Sequence, residues 1–391
     1  HDYDNSVQPR STSTGGNDSE VSPTVDFIEM FDGVELDADG KFGFLDENGY
    51  YKLYDNPMDA FANAEPRLLG TVILPMSKFK DQYIEIRRGL YTGKVEEGKG
   101  ISRLIKEGET AAYETLGLKD VQLTGNFNGG PAVQLKTPYT PYPGATPVTS
   151  MLITGLNGPV NGWNFGNIGG TYLRKYLDPD LENNSGGKST QHWIDIRYAE
   201  VLLNYAEAKA ELGEMDAAVW DQTIAQLRSR AGVTPVVPDK ADPYMEAYFL
   251  NTVTDKWILE VRRERGIELC LEMGLRWDDD MRWHMGDLLT SDNNPWTGIY
   301  IGSTSYTYDY TGLSTDDNGD PVPDFYIRPG EDTEHSIAIS NTGANQTFSL
   351  NGEGNIVWEY RRVWSEKKYL RPIPLTAITR NPNLEQNALW K

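Results

Sequence analysis

The chain has 391 residues and, with 36 Lys and Arg against 58 Asp and Glu, a formal net charge of −22 at pH 7. That balance excludes nucleic acid and anionic lipid surfaces as first readings, since both need a basic face. Hydrophobic residues make up only 38%, yet aromatics supply 11%, with 22 Tyr and 10 Trp; rings concentrate where a protein meets a half-wet partner such as a sugar ring or another protein surface.

A chain of this length forms one large domain or two smaller ones. A single cysteine, Cys270, cannot close an intramolecular disulfide, and no run approaches the length of a membrane span. Residues 1–23 read as an exposed linker, most clearly at 11–23 (STSTGGNDSEVSP), ahead of a domain over 24–391. Residues 24–31 (TVDFIEMF) have the spacing of a short helix with Thr24 as N-cap. Asp39-Gly40 and Asn48-Gly49 flank residues 41–45 as hairpin turns do, and Lys41 stands where a calcium loop needs an oxygen ligand. Residues 68–74 (LLGTVIL) read as a short β-run within a loop-rich stretch over 24–190. Later in that stretch Tyr139, Tyr142, Trp163 and Phe165 lie among Gly, Pro, Thr and Asn, a pattern that favours functional loops.

The character changes at Gln191. Residues 193–212 contain no Gly or Pro, and Ile194, Tyr198, Val201, Leu202, Tyr205 and Ala208 recur at three- and four-residue steps, predicting an amphipathic helix with that face inward. Gly213 ends it, Asp216 caps the next, and residues 217–231 predict a second helix ending at Gly232, with Ala206 and Ala217 at the contact. The pair, over 191–232, has the form of a tetratricopeptide-type unit, which buries its face only by stacking on others. A third helix, from about Asp255 to Met273 within a segment over 255–284, carries the like-charge pairs Glu264/Glu268 and Glu268/Glu272, so its arginines must be engaged. Cys270 reads there as a small buried hydrophobe. Residues 291–354 are again loop-rich, with Tyr306, Tyr308 and Tyr310 alternating as on one strand face.

No zinc spacing appears among the four histidines, and no nucleophile elbow, P-loop or dinucleotide fingerprint is present. The sequence therefore predicts no catalytic residue, no metal site and no cofactor, which shifts the reading toward a binding protein.

Three segments resemble the SusD/RagB family of surface glycan-binding lipoproteins: residues 197–213 (RYAEVLLNYAEAKAELG), 264–283 (ERGIELCLEMGLRWDDDMRW) and, most specifically, the closing signature within 369–390 (YLRPIPLTAITRNPNLEQNALW). Weaker echoes cover 22–33 and 54–68. Glu272 and Gly274 are separated by Met273 where the family has them adjacent, and Ala388-Leu389 stands where Pro-Gly is usual. The resemblance implies a mainly α fold of tetratricopeptide-like helix pairs, with long loops and a few short β-hairpins. It also implies oligosaccharide or polysaccharide binding at the bacterial outer-membrane surface and delivery to a SusC-like TonB-dependent transporter. A typical member carries a lipidated N-terminal section with further helical units, so a separate N-terminal helical fragment is expected as a partner.

Sugars stack on Trp or Tyr while Asn, Asp and Arg take hydroxyls. The candidates are Trp163, Tyr139 and Tyr142 for stacking, with Asn161 and Asn164 as polar partners. Trp193, Trp277, Trp283 and Trp390 sit in family-like motifs and are expected in the core. The competing readings are a glycoside hydrolase with an unrecognised carboxylate pair and a peptide-capture lipoprotein.

Overall fold

Local sequence already sets where many elements start and stop. In the computed structural model, residues 3–9, 12, 21–36, 57–75, 77–84, 86, 91–95, 102–104, 121–127, 130–139, 148–152, 170–181, 189–300, 348–350, 355–358 and 362–390 are described. The chain divides into two units. One comprises residues 1–193, 231–233 and 296–359; the other comprises 194–230, 234–295 and 360–391.

The first unit opens with α1 (Tyr3–Val7), whose Val7 joins a core of Ile73, Phe79, Ile84, Ile86, Tyr172, Leu173 and Leu177, with Tyr3 packed against it. The expected helix near Thr24 is α2 (Val25–Glu29); Thr24 takes the extended N-cap backbone but makes no side-chain capping bond. The chain then turns at Gly33, where φ is 79° and a Cβ would lie 1.9 Å from the carbonyl oxygen of Asn63. Only glycine satisfies both demands.

The run over 68–74 is not a single strand. Residues Pro66–Thr71 form helix α3, and only Val72–Ile73 form strand β1. Pro66 occupies the first helical turn, where its fixed φ is favourable, and Leu68 and Thr71 bury one helical step apart while Leu69 is exposed. Strands β2 (Lys78–Phe79) and β3 (Gln82–Tyr83) make a hairpin whose turn residues Lys80 and Asp81 have φ of 49° and 59°, the twist that matches antiparallel strands.

Further strands are β4 (Tyr91–Val95), β5 (Ser102–Leu104), β6 (Val121–Phe127), β7 (Gly130–Tyr139), β8 (Val148–Leu152) and β9 (Tyr172–Leu173). β1 pairs antiparallel with β9, Val72 opposite Leu173 and Ile73 opposite Tyr172. β6, β7 and β8 form one antiparallel sheet; β10 (Thr297–Tyr300), β11 (Phe348–Leu350) and β12 (Asn355–Trp358) form another in the order β10-β12-β11. The proposed turns around residues 39–49 and the Tyr306, Tyr308, Tyr310 stripe lie outside the described residues.

The second unit is helical: α4 (Tyr198–Glu211), α5 (Ala217–Gln222), α6 (Ile224–Arg230), α7 (Pro243–Tyr248), α8 (Lys256–Glu268), α9 (Leu275–Arg282) and α10 (Leu375–Arg380). Helix-rich architecture with short strands is the fold class the sequence predicted. Asp216 caps α5 as expected, accepting from Val219 N at 2.8 Å, and Gly213 turns the chain at φ 67°; Asp255 also caps α8, accepting from Trp257 N and Ile258 N.

Two helical expectations are corrected. The predicted second helix breaks at Thr223, fully buried with φ −125° and ψ −95°, whose hydroxyl donates back to Val219 O at 2.6 Å. The inward face of α4 is also different. Ala199, Leu203, Ala206 and Ala210 are buried in a core with Trp220, Ile224, Leu227, Val261 and Leu269. Tyr198, Val201 and Tyr205 are 72%, 52% and 45% exposed, and Ala217 is exposed too. Alanines let α8 approach α4 closely, so the small-residue stripe took the core with Leu202 of the expected face packed against it, and Tyr198, Val201 and Tyr205 were left outside.

The closing signature is a clasp. Pro372 and Pro374 have no N–H, so Ile373 carries the one donor between them. The Gln386 side chain accepts from Ile373 N at 2.8 Å and donates to Ile373 O at 2.9 Å, while Asn387 donates to Arg371 O at 2.6 Å.

Candidate functional site

Of the five predicted ligand residues, Tyr139 alone is described. It ends β7 opposite Val148 of β8. Tyr142, Asn161, Trp163 and Asn164 lie outside the described residues.

The described part of the first unit contains an aromatic platform that sequence reasoning missed. Tyr3, Tyr176 and Trp193 meet, with the Tyr3 ring 5.1 Å from Trp193 at 84° and the Tyr176 ring 4.7 Å from Trp193 at 46°. α1 presents Tyr3 because two long-range bonds hold it: Tyr3 Oη donates to Lys175 O at 2.9 Å, and Asp178 N donates to the Asp4 carboxylate at 2.8 Å. Tyr176 lies in the turn after β9 with φ 68°, a left-handed conformation that strains an aromatic residue. Trp193 remains 47% exposed.

Behind the platform, Lys80 reaches from the β2–β3 turn to Gln8 Oε1 at 2.9 Å. Burial lowers the Lys80 pKa, against the pull of Asp4 and Asp178. Lys175 Nζ lies 5.8 Å from the Tyr176 ring centroid. The sequence signal available for Trp193 was the stretch 193–197, which carries helical periodicity but stays outside the helix because α4 begins only at Tyr198, with Arg197 in extended conformation as its N-cap.

None of the four tryptophans expected in the core is fully buried. Trp193 and Trp277 are 47% and 45% exposed, and Trp283 and Trp390 are half-buried. Among the described residues the buried tryptophan is Trp220. Indole N–H groups of the half-buried pair are anchored, Trp283 to Glu207 at 2.6 Å and Trp390 to Lys367 O at 2.7 Å.

The second unit holds a lattice of buried charge around α8. Arg265 binds Asp279 through two 2.8 Å hydrogen bonds and also reaches Asn204. Arg197 joins Glu268 and Glu272, Arg230 joins Glu268, and Arg228 joins Glu260 and Glu264. The glutamates of both like-charge pairs are thus engaged by arginine, although α8 ends at Glu268 rather than near Met273 and leaves Glu272 beyond it. Burial opposes the Arg197 charge, but the hydrogen bonds it donates to Glu272 and Glu268 outweigh that and hold its pKa above the usual value. Arg262 lies between the Phe249 and Trp283 rings, 5.1 and 4.5 Å from their centroids, and burial lowers its pKa. Cys270 is buried and unbridged, as read.

Asp279 and Asp280 are adjacent carboxylates. Burial raises Asp280 to about 6, with Asp279 adding to the effect and Arg276 and Arg262 opposing it. Such a value suits a general acid, but both carboxylates are only 3% exposed and face arginines. Neither is placed to reach an external glycosidic bond. Among the described residues no group of three His, Cys, Asp or Glu side chains is arranged to hold a metal ion, and no helix is long and apolar enough to cross a membrane.

Comparison with known proteins follows this geometry. A SusD-like protein from Bacteroides fragilis NCTC 9343 is 17% identical, covering 98% of this chain and 50% of its own, with a TM-score of 0.47. A second structure from that organism, described as a SusD-like carbohydrate binding protein, is 21% identical, covering 85% of this chain and 48% of its own, with a TM-score of 0.44. A SusD superfamily protein from Parabacteroides distasonis ATCC 8503 is 18% identical, covering 88% and 54%, with a TM-score of 0.27. The chain thus spans about half the length of these solved structures. A search of curated proteins gives no match. The SusD family model matches residues 1–390, so the chain belongs to the SusD family.

Proposed function

We propose that this chain captures oligosaccharide or polysaccharide at the bacterial outer-membrane surface and passes it, without cleaving it, to a SusC-like TonB-dependent transporter. The observation that carries the reading is the family match over residues 1–390. The half-exposed ring platform of Tyr3, Tyr176 and Trp193 is consistent with it. Trp163, Tyr139 and Tyr142 stack sugar rings in this reading, and Asn161 and Asn164 hydrogen-bond hydroxyls.

The exposed stripe of α4 supports the helical partner. Tyr198, Val201, Tyr205, Ala208 and Leu212 follow three-four-three-four spacing on the face turned from the core. That is the seam a second helix fills with knobs into holes, and the separate N-terminal helical fragment is our proposed occupant.

The experiment is incubation with a glycan panel, scoring retention and new reducing ends together. Retention without cleavage, lost in Trp163→Ala with little change in thermal stability, is the expected result. Cleavage abolished by one carboxylate substitution would establish a hydrolase instead, and retention of peptides but no glycan would establish peptide capture.

A further inference from the structure

The Tyr3, Tyr176 and Trp193 cluster combines features that core packing and surface decoration do not share. A core tryptophan is covered, yet Trp193 leaves 47% of its surface to solvent. A decorative surface tryptophan is free to move, yet this one is clamped, by Tyr3 at 84° and by Tyr176 at 46°. Tyr3 and Tyr176 themselves meet edge-on at 6.4 Å, so the three rings fix one another. The backbone accepts φ 68° at Tyr176, a region unfavourable to an aromatic residue, in order to hold that ring in place. A rigid, half-exposed indole is a ready-made stacking surface, because the ordering cost of binding has already been met within the fold.

We infer that Trp193 stacks the apolar face of a neutral pyranose ring, with Tyr3 and Tyr176 as its positioning residues. This deepens the glycan-binding reading and rests on it. Neutrality follows from the surroundings. An aromatic cage of this kind also attracts cations, but Lys175 Nζ already lies over the Tyr176 ring at 5.8 Å and repels a second positive charge. The Asp4 and Asp178 carboxylates at α1, together with the net charge of −22, work against acidic sugars. Lys175, beside the Tyr176 ring, is a donor for sugar hydroxyls.

The test is titration calorimetry of the whole chain against neutral gluco-, xylo-, manno- and fructo-oligosaccharides, using wild type, Trp193→Ala and Trp193→Tyr, with a thermal melt of each. For a glycan that wild type binds, Trp193→Ala weakens affinity about tenfold or more, and Trp193→Tyr recovers part of the loss. Both variants melt close to wild type. Unchanged affinity in Trp193→Ala overturns the subsite and leaves the glycan reading standing. Recovery of the melting temperature but not of binding in Trp193→Tyr, after both fall in Trp193→Ala, assigns Trp193 to packing and also overturns it. Failure of wild type to bind any glycan counts against the glycan reading and the subsite together.

Discussion

Replacing Asp280 with asparagine should stabilise the helical unit at neutral pH, and the gain should depend on pH in a defined way. Asp280 is 3% exposed at the C-terminal end of α9. Its neighbour Asp279 takes the double hydrogen bond from Arg265 and further bonds from Arg282. Asp280 has the weaker arrangement, an ion pair to Arg276 at 3.2 Å, with Arg276 also donating to Tyr248 Oη at 3.1 Å. Burial therefore dominates and raises the pKa from 3.8 to about 6. A folded pKa above the unfolded one means that the native state holds the extra proton between those values. The stabilising contribution of the neutral acid is fully present below about 3.8 and lost as pH rises through about 6. At pH 7.5 the ionised carboxylate accordingly costs about 3 kcal/mol, falling to about half that at pH 5. Asp280→Asn removes this cost while keeping shape. Urea unfolding of both proteins at pH 5, 6 and 7.5 measures the difference. A gain that does not shrink toward pH 5, or a variant less stable at pH 7.5 than at pH 5 relative to wild type, refutes the reasoning. A carboxyl carbon titration of Asp280 by NMR provides a direct second reading.

Arg265→Met should destabilise the chain by about 3–5 kcal/mol, because it leaves Asp279 charged and buried without its double hydrogen bond; a loss within 1 kcal/mol in chemical denaturation would mean that Arg282 alone satisfies Asp279. Val201→Glu, on the exposed seam of α4, should leave the stability of the isolated chain within about 0.5 kcal/mol yet abolish co-purification with a co-expressed N-terminal helical section. Undiminished co-purification of Val201→Glu, or none with wild type, would remove that section as the occupant.

The local signals in the sequence were reliable where they rest on chemistry within a few residues. Asp216 and Asp255 cap the helices they precede, Gly213 closes α4, and the arginines that the like-charge glutamates of α8 demanded are in place. The family was legible because the closing signature is a geometric necessity, with Gln386 the partner of the one backbone donor between two prolines. The loop candidates Tyr142, Asn161, Trp163 and Asn164 remain readings of sequence.

What tertiary structure decided was direction. Helix α4 carries two apolar stripes, and period alone cannot choose between them; the alanine stripe is inside because close helix approach selects small side chains. Charge could not reveal that α8 is buried from Leu259 to Glu268, since only partners from α4, α6 and α9 make such burial tolerable. Trp193 is four residues from Arg197, which opens α4, but its exposure is set by Tyr3 and Tyr176, distant in sequence and joined to it only by the fold. The sequence alone determined the Asp216 cap, the Gly213 turn and family membership, whose causes lie within short segments. The structure alone decided which rings and charges face solvent, because that depends on neighbours the chain brings from far away.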